Sequence, residues 1–267
     1  MRLQKDTEGL SRDVEPRRRD VTAMLSRQGA MLEELRVVVY DIAPETARSD
    51  LRRLILEDNV LRRGSLSSRR EIFRKLGERY FRRETRKATA LFLQAIRDSR
   101  EPSHLALLAY VMFLWNDALA FTLSVEWLAP KLQGNGFTAE TSDILRELQF
   151  LEKQIPAIRG WGETTRKRIG RHYLGLLRDC GFAVGSARKM LRKPYVAPEV
   201  VLFAAQLIAG SGEPLERLPQ HGLFTAMGLS VDEVIDSLYE LDRQRRVRFA
   251  VQGGVVHLEL RGERQVS

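Results

Sequence analysis

The chain has 267 residues, 43% hydrophobic and 30% charged, which is the composition of a soluble globular protein with one large core or two to three small ones. Forty-four Lys and Arg against 35 Asp and Glu give a net charge of +9 and favour a polyanionic partner. The single cysteine, Cys180, excludes an internal disulfide and a cysteine-rich zinc site, and is expected as a small core residue.

The first residues are polar and contain no apolar stretch of the secretory type, so a reducing cytoplasmic location is expected. The charge is unevenly spread. Residues 1–100 carry a net +8, residues 101–150 a net −4, residues 151–193 a net +8, and residues 194–267 a net −3. Two basic zones thus flank an apolar, mildly acidic one.

Residues 1–20, with Arg17, Arg18 and Arg19 in a row, read as a flexible basic arm. A helix is predicted over residues 21–40, with Met24, Leu25, Met31, Leu32, Leu35 and Val39 on one side; the Val37–Val39 run also fits the start of a strand. Pro44 suits the first turn of a second helix, residues 44–57, buried through Leu51, Leu54 and Ile55. After a short break, Leu66, Phe73, Leu76, Tyr80 and Phe81 recur at helical spacing, with Ser67 and Ser68 where an N-cap belongs. From residue 61 to 87 there are eleven Lys and Arg against three acids. Helix, turn and basic helix have the outline of a helix-turn-helix, completing an N-terminal region of residues 21–100 that ends in a helix over 85–99. The alternative for this stretch is a solvated basic face without a ligand.

Residues 101–158 hold the apolar centre. The run from 105 to 125 is 21 residues long with only Asn116, Asp117, Thr122 and Ser124 as polar breaks, enough by length to span a bilayer. Asn116 and Asp117 at its middle argue instead for a buried core helix, or two helices meeting near Asp117. Gln133, Gly134, Asn135 and Gly136 mark a loop, Thr138 an N-cap, and residues 139–154 a helix.

A winged-helix-like basic region is read over residues 159–210. Thr164 or Thr165 is expected to cap a helix whose first turn is Arg166, Lys167 and Arg168, with Ile169, Tyr173, Leu176, Leu177 and Cys180 inside and Gly181 just past its end. Cations in a first turn oppose the helix dipole, a conflict that a bound phosphate would resolve. Residues 188–196 look extended, as a wing would be, and residues 198–209 read as an apolar helix before a Gly210-Ser211-Gly212 hinge. In the final unit, residues 211–267, a short helix precedes a capping box at Ser230 and Glu233, and two alternating strands flank Gln252, Gly253 and Gly254. Helix, helix and hairpin suggest a second winged-helix-like unit, whose acidic helix suits protein contact better than DNA.

Catalytic signatures are absent. Gly210-Ser211-Gly212 lacks the Lys-Ser/Thr of a phosphate loop, and no nucleophile elbow, zinc-protease pair or dinucleotide fingerprint occurs. The four histidines His104, His172, His221 and His257 are scattered singly, with His172 read as a surface polar group. Asp117 and Glu126, nine residues apart, read as satisfied core or boundary acids. No enzyme activity, metal or cofactor is expected.

Three stretches resemble the BrxA family of BREX phage-defence systems: Gly-Ala-Met-Leu-Glu-Glu-Leu-Arg at 29–36, Leu-Ser-Ser-Arg-Arg at 66–70, and Trp-Gly-Glu-Thr-Thr-Arg-Lys-Arg with Leu-Leu-Arg-Asp-Cys-Gly-Phe between 161 and 182. The resemblance implies a mainly α, multi-helical bundle similar to the antitermination factor NusB. It also implies double-stranded DNA binding without catalysis, and a place beside the other BREX subunits; on the residues of the apolar run, no membrane partner is expected. Together with the charge pattern this gives the expected DNA contacts: Arg62, Arg63, Arg69, Arg70, Arg74 and Lys75 in one region, Arg166, Lys167, Arg168 and Arg171 in another, and Arg188, Lys189, Arg192 and Lys193 on a wing. The competing reading is an assembly scaffold whose basic zones bind acidic protein or RNA.

Overall fold

A computed structural model describes residues 21–260 apart from Gln28, Arg83, Arg100, Pro102, Ser103, Asn135 and Gly254, so the basic arm of residues 1–20 lies outside the described residues. The fold is mainly α with two small antiparallel sheets. Its helices are α1 (Leu32–Val38), α2 (Ala47–Arg52, running into a π turn at Arg53–Glu57), α3 (Leu66–Tyr80), α4 (Arg86–Asp98), α5 (His104–Asn116) and α6 (Ala118–Leu132). They continue with α7 (Thr141–Leu151), α8 (Glu163–Asp179), α9 (Pro198–Ser211), α10 (Gly222–Ala226) and α11 (Val231–Arg243). One continuous hydrophobic cluster reaches from Val21 to Val256.

The apolar run lies at the centre of this core. In α5 every residue from Leu107 to Leu114 is buried. The run is not one rod: the chain bends by 111° between α5 and α6. Asp117, extended at φ −130°, caps α6 by accepting from the Ala120 N–H at 3.0 Å. Asn116 accepts from Thr85 Oγ1 at 3.1 Å and donates to the Arg79 carbonyl at 2.7 Å, so both polar residues are satisfied inside the fold. Among the described residues, no single helix is long and apolar enough to cross a membrane.

A buried polar chain ties four helices together. Tyr110 Oη lies 2.8 Å from Ser124 Oγ and 3.2 Å from the Ala226 carbonyl, and Tyr173 Oη lies 3.0 Å from Ser124 Oγ. The carbonyl can only accept, so one arrangement uses every proton: Tyr173 donates to Ser124, Ser124 to Tyr110, and Tyr110 to Ala226. Burial pushes both phenols well above their ordinary range, and they stay neutral. Ser124→Ala leaves the Tyr173 hydroxyl without its acceptor, and the expected loss is about 1–3 kcal/mol, read from the thermal unfolding midpoint.

The N-terminal segment departs from the single predicted helix. A 3₁₀ turn, Ala23–Ser26, is separated from α1 by a break in which Met31 is left-handed at φ 55°. The cause lies fifty residues away. Arg79 Nε donates to the Gly29 carbonyl at 2.8 Å and Tyr80 Oη donates to the Ala30 carbonyl at 2.6 Å, occupying two acceptors that a continuous helix would need. Val37 and Val38 are helical, not strand.

Caps shift other predicted boundaries. α3 is capped by Ser65, whose side chain accepts from the Ser68 N–H at 3.1 Å, instead of by Ser67 or Ser68. α7 is capped by Glu140 in a reciprocal box with Asp143, while Thr138 lies in a short strand. α8 starts at Glu163 after Gly162, so Thr164 and Thr165 are inside the helix. The first turn carries an acid and Arg166, Lys167 and Arg168 follow it, so the expected conflict with the helix dipole does not arise. Residues 210 and 211 belong to α9, which Gly212 ends in the left-handed region at φ 82°.

The first sheet has order β1–β3–β2, from β1 (Thr138–Ala139), β2 (Ala183–Val184) and β3 (Lys189–Leu191), with β3 antiparallel to both neighbours. The β2–β3 turn needs Gly185, at φ 102°, because a Cβ there would lie 2.4 Å from the Arg188 carbonyl oxygen. The second sheet is the predicted C-terminal hairpin, β4 (Val247–Gln252) paired with β5 (Val255–Leu260) from Val247↔Leu260 to Gln252↔Val255. It follows α10 and α11, and α11 begins with the predicted Ser230–Glu233 box.

Candidate nucleic-acid interface

The two basic zones, some ninety residues apart in sequence, meet in one groove of about 500 Å³. From α3 come Glu71, Arg74 and Lys75; from α8 come Arg168, Arg171 and His172; from the N-terminal segment come Ser26 and Arg27. Both helices present these residues because their other sides are committed to the core. In α3, Ile72, Leu76 and Tyr80 point inward at four-residue spacing, and in α8 Ile169, Tyr173, Leu176 and Leu177 do the same. The N-terminal segment packs on α8 and is fastened there by His172, whose Nδ1 lies 2.9 Å from the Leu25 carbonyl.

Positive charge dominates the groove. Arg74 bonds Glu78 at 2.9 Å and Lys75 bonds Glu71 at 2.7 Å, and Arg27 lies 4.0 Å from Glu78. Arg168 and Arg171 are exposed and have no ion pair with any described residue. Among the described residues, five cations therefore face two carboxylates. The same excess acts on His172: half-burial lowers its pKa, the Leu25 carbonyl works against this, and Arg79, Arg171 and Lys75 lower it further.

The predicted contacts divide sharply. Arg74, Lys75, Arg168 and Arg171 come together in the groove. Arg62 and Arg70 are exposed without an ion pair among the described residues, and Arg62 sits in a turn at φ 50°. Arg63 pairs with Glu34 at 3.0 Å and Lys167 with Glu163 at 2.6 Å.

Arg69 and Arg166 are structural in this fold. Arg69 donates to the Leu56 carbonyl at 2.7 Å, holding α3 to the π turn after α2. Arg166 binds Glu152 at 2.7 Å, the Ile158 carbonyl at 3.0 Å and the Trp161 carbonyl at 3.0 Å, and so fastens α8 to the segment before it. Arg79, on the same helix as Arg74 and Lys75, is only 2% exposed.

The expected wing residues sit elsewhere and none lines the groove. Arg188 pairs with Glu140 at 2.9 Å beside a notch formed with Thr138, Val184 and Met190. Lys189 reaches the Ser186 carbonyl, Arg192 the Gly181 carbonyl at 3.1 Å, and Lys193 the Glu233 carboxylate at 2.6 Å. Sequence reasoning missed Ser26, Arg27 and the placement of His172. Their helical context gave no hint of α3, and only the local run of Ser26 and Arg27 beside buried Leu25 marks them as facing outward.

The chemistry available is anion binding. Among the described residues, no three His, Cys, Asp or Glu are placed to hold a metal ion. Cys180 is buried, which pushes its thiol well above the ordinary range.

No curated protein matches this sequence. The fold is similar to the crystal structure of an uncharacterized protein from Magnetospirillum magneticum, with a TM-score of 0.57 and 13% identity over 79% of this chain and 98% of that one. At that identity the likeness concerns the fold alone. The sequence pattern of the BrxA family matches residues 21–207, a span that covers α1 to α8, both walls of the groove and most of α9. The chain is therefore a member of the BrxA family and, with it, a protein associated with BREX phage-defence systems.

Proposed function

We propose that the groove between α3 and α8 binds the phosphate backbone of double-stranded DNA, and that the chain serves its BREX system as a DNA-binding component without catalysis, in the cytoplasm and beside other BREX subunits. The observation that carries this reading is the convergence of Arg27, Arg74, Lys75, Arg168 and Arg171 on one concave surface, with Arg168 and Arg171 unengaged by any described residue. Guanidinium groups form short, charge-assisted bonds with phosphate oxygens. Among the described residues neither Asn nor Gln lines the groove, so none of them offers the amide that reads adenine bidentately, and contacts to phosphate dominate.

Weak sequence selectivity and steep salt dependence follow. If three to five phosphates are neutralised, the logarithm of the association constant falls with the logarithm of salt concentration at a slope of about −3 to −5. A titration against an unrelated duplex of about 30 base pairs at several salt concentrations measures that slope, with single-stranded RNA as competitor. Absence of duplex binding at low salt, or preference for the RNA, would overturn the proposal. It would favour the scaffold reading, which draws on the acidic face of α11, where Asp232 and Asp236 are exposed and unpaired among the described residues.

A further inference from the structure

We propose that His172 is itself a phosphate ligand of the groove and engages the DNA backbone as imidazolium, so that the groove takes up a proton together with its ligand. This rests on the duplex-binding reading of the groove. The Leu25 carbonyl 2.9 Å from Nδ1 can only accept, so Nδ1 carries a proton whether the ring is neutral or charged. Nε2 is then the atom that titrates. It has no hydrogen-bond partner among the described residues and is not sealed in the core, and the ring lines the groove, so Nε2 opens into it.

The neutral ring presents a lone pair at Nε2, and a phosphodiester oxygen presents only lone pairs. The two cannot bond, whereas the imidazolium can donate to the oxygen with charge assistance. The groups facing the ring decide which form prevails. From the N-terminal segment Arg27 faces it; from α3, Arg74 and Lys75 with Glu71 and Glu78, and the buried Arg79 behind them; from α8 itself, Arg168 and Arg171. In the free protein half-burial and the surplus of cations favour the neutral ring. An incoming phosphate reverses the local charge, raises the affinity of Nε2 for a proton, and gains a donor when that proton arrives. By linkage the affinity for DNA must rise as the pH falls.

The test uses the full chain and an unrelated duplex at constant ionic strength, at about pH 6 and about pH 8, bracketing the histidine range. The wild type is expected to bind roughly three- to tenfold more tightly at the lower pH. H172N keeps an amide within reach of the Leu25 carbonyl and does not titrate. It is expected to bind equally at both pH values. Calorimetry of the wild type in two buffers of different ionisation enthalpy should show net proton uptake on binding, and this decides the matter if H172N does not fold. A wild type with flat binding and no proton uptake overturns the proposal, and so does an H172N protein that keeps the wild-type pH dependence. The double variant R168E/R171E separates this failure from that of the groove reading: if it binds duplex as the wild type does, the groove is not the DNA site at all.

Discussion

R168E/R171E is expected to lose at least about 100-fold in duplex affinity while unfolding within a few degrees of the wild type. Each arginine contributes a charge-assisted bond to phosphate of about 1.5–3 kcal/mol, and the reversal adds repulsion to the loss of both. Stability is spared because both side chains are exposed and make no ion pair with a described residue. Electrophoretic mobility shift or fluorescence anisotropy at about 0.1 M salt reads the affinity, and circular dichroism the fold. Binding within about threefold of wild type would show that these cations do not touch DNA. Arg166, two positions before Arg168, is expected to behave in the opposite way. Its bonds to Glu152, Ile158 and Trp161 hold α8 in place, so its loss should show first in the thermal midpoint.

Arg79→Ala carries the largest expected cost in stability, roughly 3–5 kcal/mol, as for a buried charge whose partner is removed. Its guanidinium donates to the Gly29 and Lys75 carbonyls at 2.8 and 3.4 Å and lies 5.5 Å from the centre of the Phe113 ring. It is also the foremost cation acting on Asp117, whose carboxyl burial raises above its ordinary range while the Ala120 N–H and then Arg79 pull it down. In Arg79→Ala that carboxyl rises further. A carboxyl with a raised folded-state pKa binds protons more readily in the native state, so stability is lost as pH rises through that pKa and recovered as it falls. The deficit should therefore be widest near neutral pH and narrow toward acid. At about 2–4 °C per kcal/mol for a chain of this size, the midpoint should fall by about 6–20 °C at pH 7. A midpoint shift below about 2 °C would mean that the buried guanidinium is dispensable.

The legible parts of the fold were those whose signals are local. α4, α8 and α11 each carry an apolar stripe at 3.6-residue spacing, and the Ser230–Glu233 box and the alternating hairpin strands need nothing from the rest of the chain. The polar pair Asn116 and Asp117 left one buried helix and two helices meeting near Asp117 both open, and the fold takes the second. What could not be read depended on distant partners. The break between the 3₁₀ turn and α1 is held by Arg79 and Tyr80, and its local sign is the weak one of Gly29 inside a helical pattern.

The site divided along the same line. That α3 and α8 are basic is plain from the sequence, but that they form two walls of one groove is a tertiary fact. Charge also says nothing of direction. Arg69, Arg79 and Arg166 look like their neighbours in the sequence, yet each turns back to a backbone carbonyl. A long arginine at the border of an apolar stripe can anchor a helix as readily as it can meet a phosphate.

The bend between α5 and α6 has a consequence for length scales. Thirteen helical residues rise about 20 Å, well short of the roughly 30 Å of a bilayer's hydrocarbon layer. A hydropathy window that slides through Asn116 and Asp117 adds two short rods end to end and reports a thickness that neither one has. The molecule instead folds the same apolar mass into a corner, bent by 111°. That shape lets one uninterrupted run of sequence touch α3 and α4 with its first arm and α10 with its second. Two polar residues thus turn a segment of membrane-like composition into the vertex around which the rest of the protein packs.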